Sequence, residues 1–217
     1  MKEPVLVVSV GPFGGAVARH LRALRPDTTQ MAVEGAPGSD LAWPPARLIV
    51  LAAWRPVPDL CERLDGFSHE RRRPFVPAIA DGATLSLGPV VVPGAAGCWH
   101  CWIQRTCQHA AGQNRRPALW QHYAQHAGDG PEGYLEPFAL MAAARLSATV
   151  EALDAGEALP GQVWQIDMIN RKITTSTVVG VHDCPRCGLH RPGPTRSHAE
   201  MQQALAYLWN HGRNEVR

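Results

Sequence analysis

Unbroken apolar runs alternate with helical patterns along the first hundred residues of this chain. Residues 4–10 (PVLVVSV) and 47–53 (RLIVLAA) are continuous and rich in β-branched side chains, as strands buried on both faces of a parallel sheet read. Between them, Ala16 to Leu24 places Val17, Leu21 and Leu24 on one helical face, Pro26 ends that helix, and Gln30–Val33 predicts a second strand. A helix around 57–67 and extended runs at 74–79 (PFVPAI) and 84–92 (TLSLGPVVV) continue the series. The alternation predicts an α/β fold: a mostly parallel sheet with right-handed crossovers and helices on both faces.

The second half reads differently. Residues 105–133 are polar and irregular, with His109, His122 and His126 scattered through them, and predict an exposed loop or crossover helix. Pro137 to Leu153 is an Ala-rich helix ended by Gly156 and Pro160. The alternating runs 163–168 (VWQIDM) and 172–181 (KITTSTVVGV) predict an antiparallel hairpin turned at 169–171. Ser197 and Glu200 form a capping box for a last helix near 197–211, with Met201, Leu205, Leu208 and Trp209 as its apolar stripe. The expected organisation is one domain over 1–190, then a Pro-rich linker and amphipathic helix over 191–217.

Composition narrows the classes. A formal charge of +2 in 217 residues, with basic residues scattered apart from Arg71, Arg72 and Arg73, gives no case for nucleic acid. No apolar stretch reaches the ~20 residues of a membrane span. Met1-Lys2-Glu3 runs straight into a strand with no signal-peptide pattern, so a cytoplasmic location is expected.

Six cysteines are present, and four form two C-x-x-C pairs, Cys98/Cys101 in GCWHCW and Cys184/Cys187 in HDCPRCG. Each such turn aims two sulfurs at one point, and two turns complete a tetrahedral S₄ shell for structural zinc. One ion would then tie the middle of the chain to its last third. Gly188 is expected to take positive φ at the second turn. Two disulfides or a redox C-x-x-C are the alternatives; the expected compartment disfavours the first, and the flanking Pro93-Gly94 and Gly188 suit the second poorly. His100 and His182 flank the pairs as substitute ligands. Cys61 and Cys107 read as small buried hydrophobes.

The turn after the first strand lies where a Rossmann-like domain cradles phosphates. It reads Gly11-Pro12-Phe13-Gly14-Gly15-Ala16, with Phe13 where the middle glycine admits the phosphate. The benzyl group is expected to fill the nucleotide space or push phosphates outward. Glu34 stands about 20 positions on, near the place of a ribose-binding carboxylate. Gly11, Gly14, Gly15 and Glu34 are therefore a vestigial nucleotide-binding set.

The strand and glycine turn (VVSVGPFGG), the run GPVVVPGAAGCWHCW, the helix at 137–153 and the hairpin feeding HDCPRCG resemble the ThiF/MoeB/HesA adenylating superfamily, relatives of ubiquitin-activating enzymes. The resemblance covers about residues 4–190 and implies zinc on Cys98, Cys101, Cys184 and Cys187. It also implies an Asp for Mg²⁺ and ATP after the strand at 47–53, where this chain has Ala53, Trp54 and Arg55. The Arg and Lys set that grips the triphosphate has no match between Glu34 and Arg47, so ATP as a cofactor is doubtful.

A degenerate member with intact zinc cysteines is similar to the ThiF-like partner subunits of YcaO enzymes, which form azoline heterocycles in ribosomally made peptides. The resemblance implies a non-catalytic scaffold that presents precursor peptide and stimulates a YcaO subunit, with homodimerisation as a family habit. Many such subunits begin with a winged-helix leader-binding module of about 80 residues; here the first strand starts near residue 4, so leader recognition is expected on another surface or chain. The competing readings are an adenylating enzyme activating a carrier-protein or peptide C-terminus, with Cys107 or Cys61 as thiol, and a dinucleotide-dependent oxidoreductase, which Phe13 disfavours.

Overall fold

A computed structural model describes residues 2–33, 42–109, 115–126, 128–131, 133–157 and 159–188. In chain order these form β1 (Val5–Val10), α1 (Gly11–Leu24), β2 (Thr28–Val33), β3 (Leu48–Ala53), α2 (Pro58–Arg71), β4 (Phe75–Asp81), β5 (Thr84–Leu87), α3 (Trp99–His109), α4 (Arg115–Gln125), α5 (Glu136–Asp154), β6 (Gln162–Asp167) and β7 (Lys172–Thr177). Glu34, the linker and the expected last helix lie outside the described residues.

The strands make one sheet in the order β2-β1-β3-β4-β5-β6-β7. β2, β1, β3 and β4 are parallel, with Val5 beside both Thr28 and Leu48. From β4 onward every pairing is antiparallel. The α/β alternation is thus present in the first half, and the runs 74–79 and 84–92 depart from it. Gly82 (φ +57°) and Ala83 turn β4 directly into β5, because a two-residue loop with Gly at its first position closes a tight hairpin and leaves no room for a crossover helix. The apolar run after Thr84 also breaks, at Gly88 (φ +105°). A Cβ there would stand 2.3 Å from the Gln162 carbonyl oxygen, and Val91 then pairs with Phe75.

Helices cover both faces. On one, Val5, Val7, Val50 and Ala52 pack against α1 and α5, whose Ala139, Ala142 and Ala143 let the two helices approach closely. On the other, Leu6, Val8, Ile49 and Leu51 pack against Leu60 and Leu64 of α2 and Trp99 of α3. Fully burying each such Leu or Phe contributes about 1.5–3 kcal/mol. Leu64→Ala, at a site with no exposed surface, would cost about 2–5 kcal/mol.

The polar stretch 105–133 contains the end of α3 and all of α4. At the second hairpin, Asp167 Oδ1 accepts from the backbone N–H groups of Ile169 (2.9 Å) and Asn170 (3.0 Å), an Asx turn that sets the register Ile166↔Ile173. No described helix is long and apolar enough to cross a membrane.

Candidate metal centre and the glycine turn

The two C-x-x-C turns meet. Cys98 stands just before α3 and Cys101 in its first turn, while Cys184 and Cys187 lie in the turns that follow β7. Two glycines permit the approach. Gly97 (φ +91°) faces Gly161 (φ +72°), and a Cβ on Gly97 would stand 2.7 Å from the Val178 carbonyl oxygen and 2.8 Å from Gly161 Cα. The backbone leaving β7 thereby lies directly against the segment entering α3.

The sulfur separations are 3.7 Å for Cys98–Cys101, 3.5 Å for Cys98–Cys184, 3.5 Å for Cys98–Cys187 and 3.3 Å for Cys101–Cys187. An ideal tetrahedron with metal–sulfur bonds near 2.3 Å has edges of about 3.8 Å. The thiols are free, so these are not disulfides, and all four sulfurs lie within 4.8 Å of one another. The group is of the right size and softness to hold a metal ion. Without a cation Cys98, Cys101 and Cys187 perturb one another. The hydrogen bond between Cys98 and Cys187 pulls Cys187 down to about 4, the same bond and burial push Cys98 far up, and burial pushes Cys101 up to about 12. Four thiolates share this space only around positive charge. The Val181 N–H, 3.3 Å from Cys101 Sγ, adds one fixed donor.

Gly188 differs from expectation. It does not adopt positive φ; its need is space, since a Cβ would stand 2.4 Å from the Cys184 carbonyl oxygen, which its own N–H donates to at 2.9 Å. His100 faces Glu62 at 3.9 Å and His182 is exposed, so neither joins the sulfur group. Cys61 is buried in the α2 core, and burial pushes its thiol well up; Cys107 is half-buried on α3.

Sequence reading missed the residue inside the second pair. Arg186 donates to Asp65 Oδ2 at 2.5 Å and to the Glu62 backbone carbonyl at 3.1 Å, and pairs with Glu62 Oε1 at 2.6 Å. The Asp65 side chain has no exposed surface, and its other oxygen accepts from Trp99 N at 3.4 Å, an anion at the N-terminus of α3. Burial pushes the Asp65 carboxyl up against the opposing pull of Arg186. A C-P-R-C turn carries this signal only if the arginine is known to have a buried acidic partner.

At the glycine turn the expected loop is absent: α1 starts at Gly11, with Pro12 in its first turn. Phe13 does not occupy the space above the turn. It points inward, 1% exposed, into the α1/α5 core and meets Tyr134 edge-on at 6.0 Å. The indole above is that of Trp54. A Cβ on Gly11 (φ +68°) would stand 2.3 Å from Trp54 Cδ1, and one on Gly130 2.6 Å from its far edge, so the ring is held between the two glycines. Gly14 has the helix–strand packing role, its missing Cβ facing the Ala52 carbonyl oxygen at 2.3 Å, and Gly15 faces open space. Arg55 is buried, and its guanidinium lies 4.5 Å over the Tyr123 ring. The cleft beside the turn, about 610 Å³, is bordered by Phe13, Trp54, Asp129 and Tyr134; among the described residues its lining includes no Lys or Arg.

No known family model matches this chain, and no curated protein matches it by sequence. Solved structures share its fold. The heterocyclase TruD superposes with a TM-score of 0.61 at 20% identity, over 93% of this chain and 32% of that one. A heterocyclase in complex with substrate and cofactor gives 0.59 at 18%, over 86% and 26%. MccB of E. coli, a microcin C7 biosynthetic enzyme, gives 0.59 at 16%, over 90% and 68%. The chain thus spans about a third or less of the heterocyclases and about two thirds of MccB. At these identities the likeness is one of fold.

Proposed function

We propose that this chain is a non-catalytic, zinc-stabilised ThiF-like scaffold in a ribosomal-peptide heterocyclase complex, presenting precursor peptide and stimulating a YcaO-type subunit. The observation that carries the reading is the contrast between two sites on one fold. The four-sulfur group is complete, whereas the position above the glycine turn is held by Trp54 and the described residues of the adjoining cleft offer no cation for phosphate. Cys98, Cys101, Cys184 and Cys187 would hold the zinc, which would supply structural cross-linking with no open coordination position. Gly11, Gly14, Gly15 and Glu34 are then the remnant of a nucleotide site. The fold it shares with two heterocyclases supports the assignment to heterocycle formation. In this reading residues 1–190 are the scaffold domain, and 191–217 form a linker and helix available to a partner or a second copy in the cytoplasm.

Co-expression with a YcaO enzyme and its precursor peptide tests the proposal. The expected result is co-purification and faster heterocycle formation, read by mass spectrometry as loss of one water per ring. A chain that neither associates nor changes the rate contradicts it.

A further inference from the structure

The C-terminal end of α4 carries two histidines at the spacing that sets neighbouring side chains on one helical face. His126 follows His122 by one turn, and Asp129 follows by about one more. Backbone hydrogen bonds hold this register past the end of the helix. His126 N donates to the His122 carbonyl oxygen at 2.8 Å, and Asp129 N to the His126 carbonyl oxygen at 3.0 Å. The two imidazoles stack with centroids 4.4 Å apart, and His122 Nε2 lies 2.8 Å from Asp129 Oδ2. All three side chains are exposed, and their ligand atoms lie within 4.8 Å of one another. His126 Nδ1 faces the His122 carbonyl oxygen at 3.1 Å. A ring whose Nδ1–H is held by a backbone carbonyl presents its Nε2 lone pair, as metal-bound histidines do.

His122 and Asp129 are partners through one shared proton. A metal ion displaces that proton and takes both atoms as ligands, as at the four-sulfur group, where the sulfurs also hydrogen-bond to one another. Two imidazoles with one carboxylate suit zinc, copper or nickel, whereas Mg²⁺ and Ca²⁺ take oxygen ligands. The buried Arg55 guanidinium acts electrostatically on Asp129, which disfavours ions that bind by carboxylate charge alone. We propose that His122, His126 and Asp129 bind one divalent transition-metal ion, separate from the four-sulfur group. Three protein ligands leave a position for water. Asp129 borders the cleft beside the glycine turn, and the adjacent Gly130 meets the far edge of the Trp54 indole. The ion therefore ties α4 to the segment that holds this ring over Gly11.

The test uses the zinc-loaded chain, with Ni²⁺ as the probe because it suits imidazole ligands. Calorimetric titration of Ni²⁺ should show one saturable site per chain, with the bound zinc retained. His122→Ala and His126→Ala, both at exposed positions, should each weaken that site at least about tenfold. Ni²⁺ should slow hydrogen exchange at Asp129 and Gly130 in the parent and not in these variants. Mg²⁺ in the same titration should not bind. Three results overturn the proposal: no Ni²⁺ binding, Ni²⁺ uptake matched by zinc release, or unchanged affinity in both histidine variants. Since no nucleotide, peptide or YcaO subunit takes part, the result stands or falls apart from the scaffold function.

Discussion

Arg186, set between the two cysteines of the second pair, ends on the fully buried carboxylate of Asp65 in α2. The turn that carries the second cysteine pair is thereby joined to the core by an ion pair. Asp65 also receives the first N–H of α3, so one carboxylate steadies both turns that carry the cysteines.

Removing Arg186 alone should be more damaging than replacing both partners. Arg186→Ala leaves the buried Asp65 carboxylate without its ion-pair partner and should cost about 3–5 kcal/mol, whereas Asp65→Ala leaves Arg186 half-buried but still paired with Glu62 and should cost less. The pair Asp65→Leu with Arg186→Met should cost clearly less than the sum of the single changes. Urea denaturation of the four proteins checks this, and strict additivity would show that the two side chains act separately.

Metal removal should loosen one end of the fold. Structural S₄ zinc contributes about 10–16 kcal/mol of apparent binding energy in small peptides, and less net here because the parallel strands have their own core. The zinc-loaded chain should hold one ion, and Cys184→Ser should lose it. Hydrogen exchange should then rise over 97–109 and 178–188 while β1 and β3 stay protected. Unchanged protection in that variant would mean that the cysteines are not a cross-link.

The glycines of the first turn should rank by what their missing Cβ atoms would meet. Gly14→Ala would meet a backbone oxygen at 2.3 Å and Gly11→Ala an indole at 2.3 Å with φ +68°, so each should destabilise by about 2–3 kcal/mol. Gly15→Ala faces open space inside a helix and should stabilise by about 0.5–1 kcal/mol. Thermal unfolding of the three variants gives the order directly.

Asp154 predicts an acid limb. Hydrogen bonds from Arg47 and Lys2 hold its carboxyl at about 2, below the ordinary 3.8. A depressed folded value means that the unfolded chain takes up the proton first. The stabilisation is therefore complete above about pH 4 and is lost as pH falls toward 2. Solvent screening limits it to about 1–2 kcal/mol. Asp154→Asn should be less stable than the parent at pH 6, and the gap should close below pH 3; a gap independent of pH would rule out this carboxylate as its source.

Much of this architecture is written in local pattern. Unbroken β-branched runs mark β1 and β3 because both faces of those strands are buried, and C-x-x-C spacing marks the sulfur group because a short turn fixes where two thiols point. What escaped depends on contacts distant in sequence. The apolar run 84–92 gives no sign that Gly82 has already reversed the chain, or that Gly88 splits it. Phe13 reads as an obstruction in a glycine turn, yet α1 starting at Gly11 turns it inward, and the obstructing ring comes from Trp54 at the end of another strand. Arg186 looks like a solvated turn residue until Asp65 is found beneath it.

The most direct test is isothermal titration of Mg²⁺–ATP into the zinc-loaded chain alone, beside Trp54→Gly. The scaffold reading predicts no binding heat for the parent up to millimolar nucleotide. Saturable micromolar binding by the parent would contradict it, because the ring over Gly11 would then have to yield to phosphate and an adenylating enzyme would be the better account.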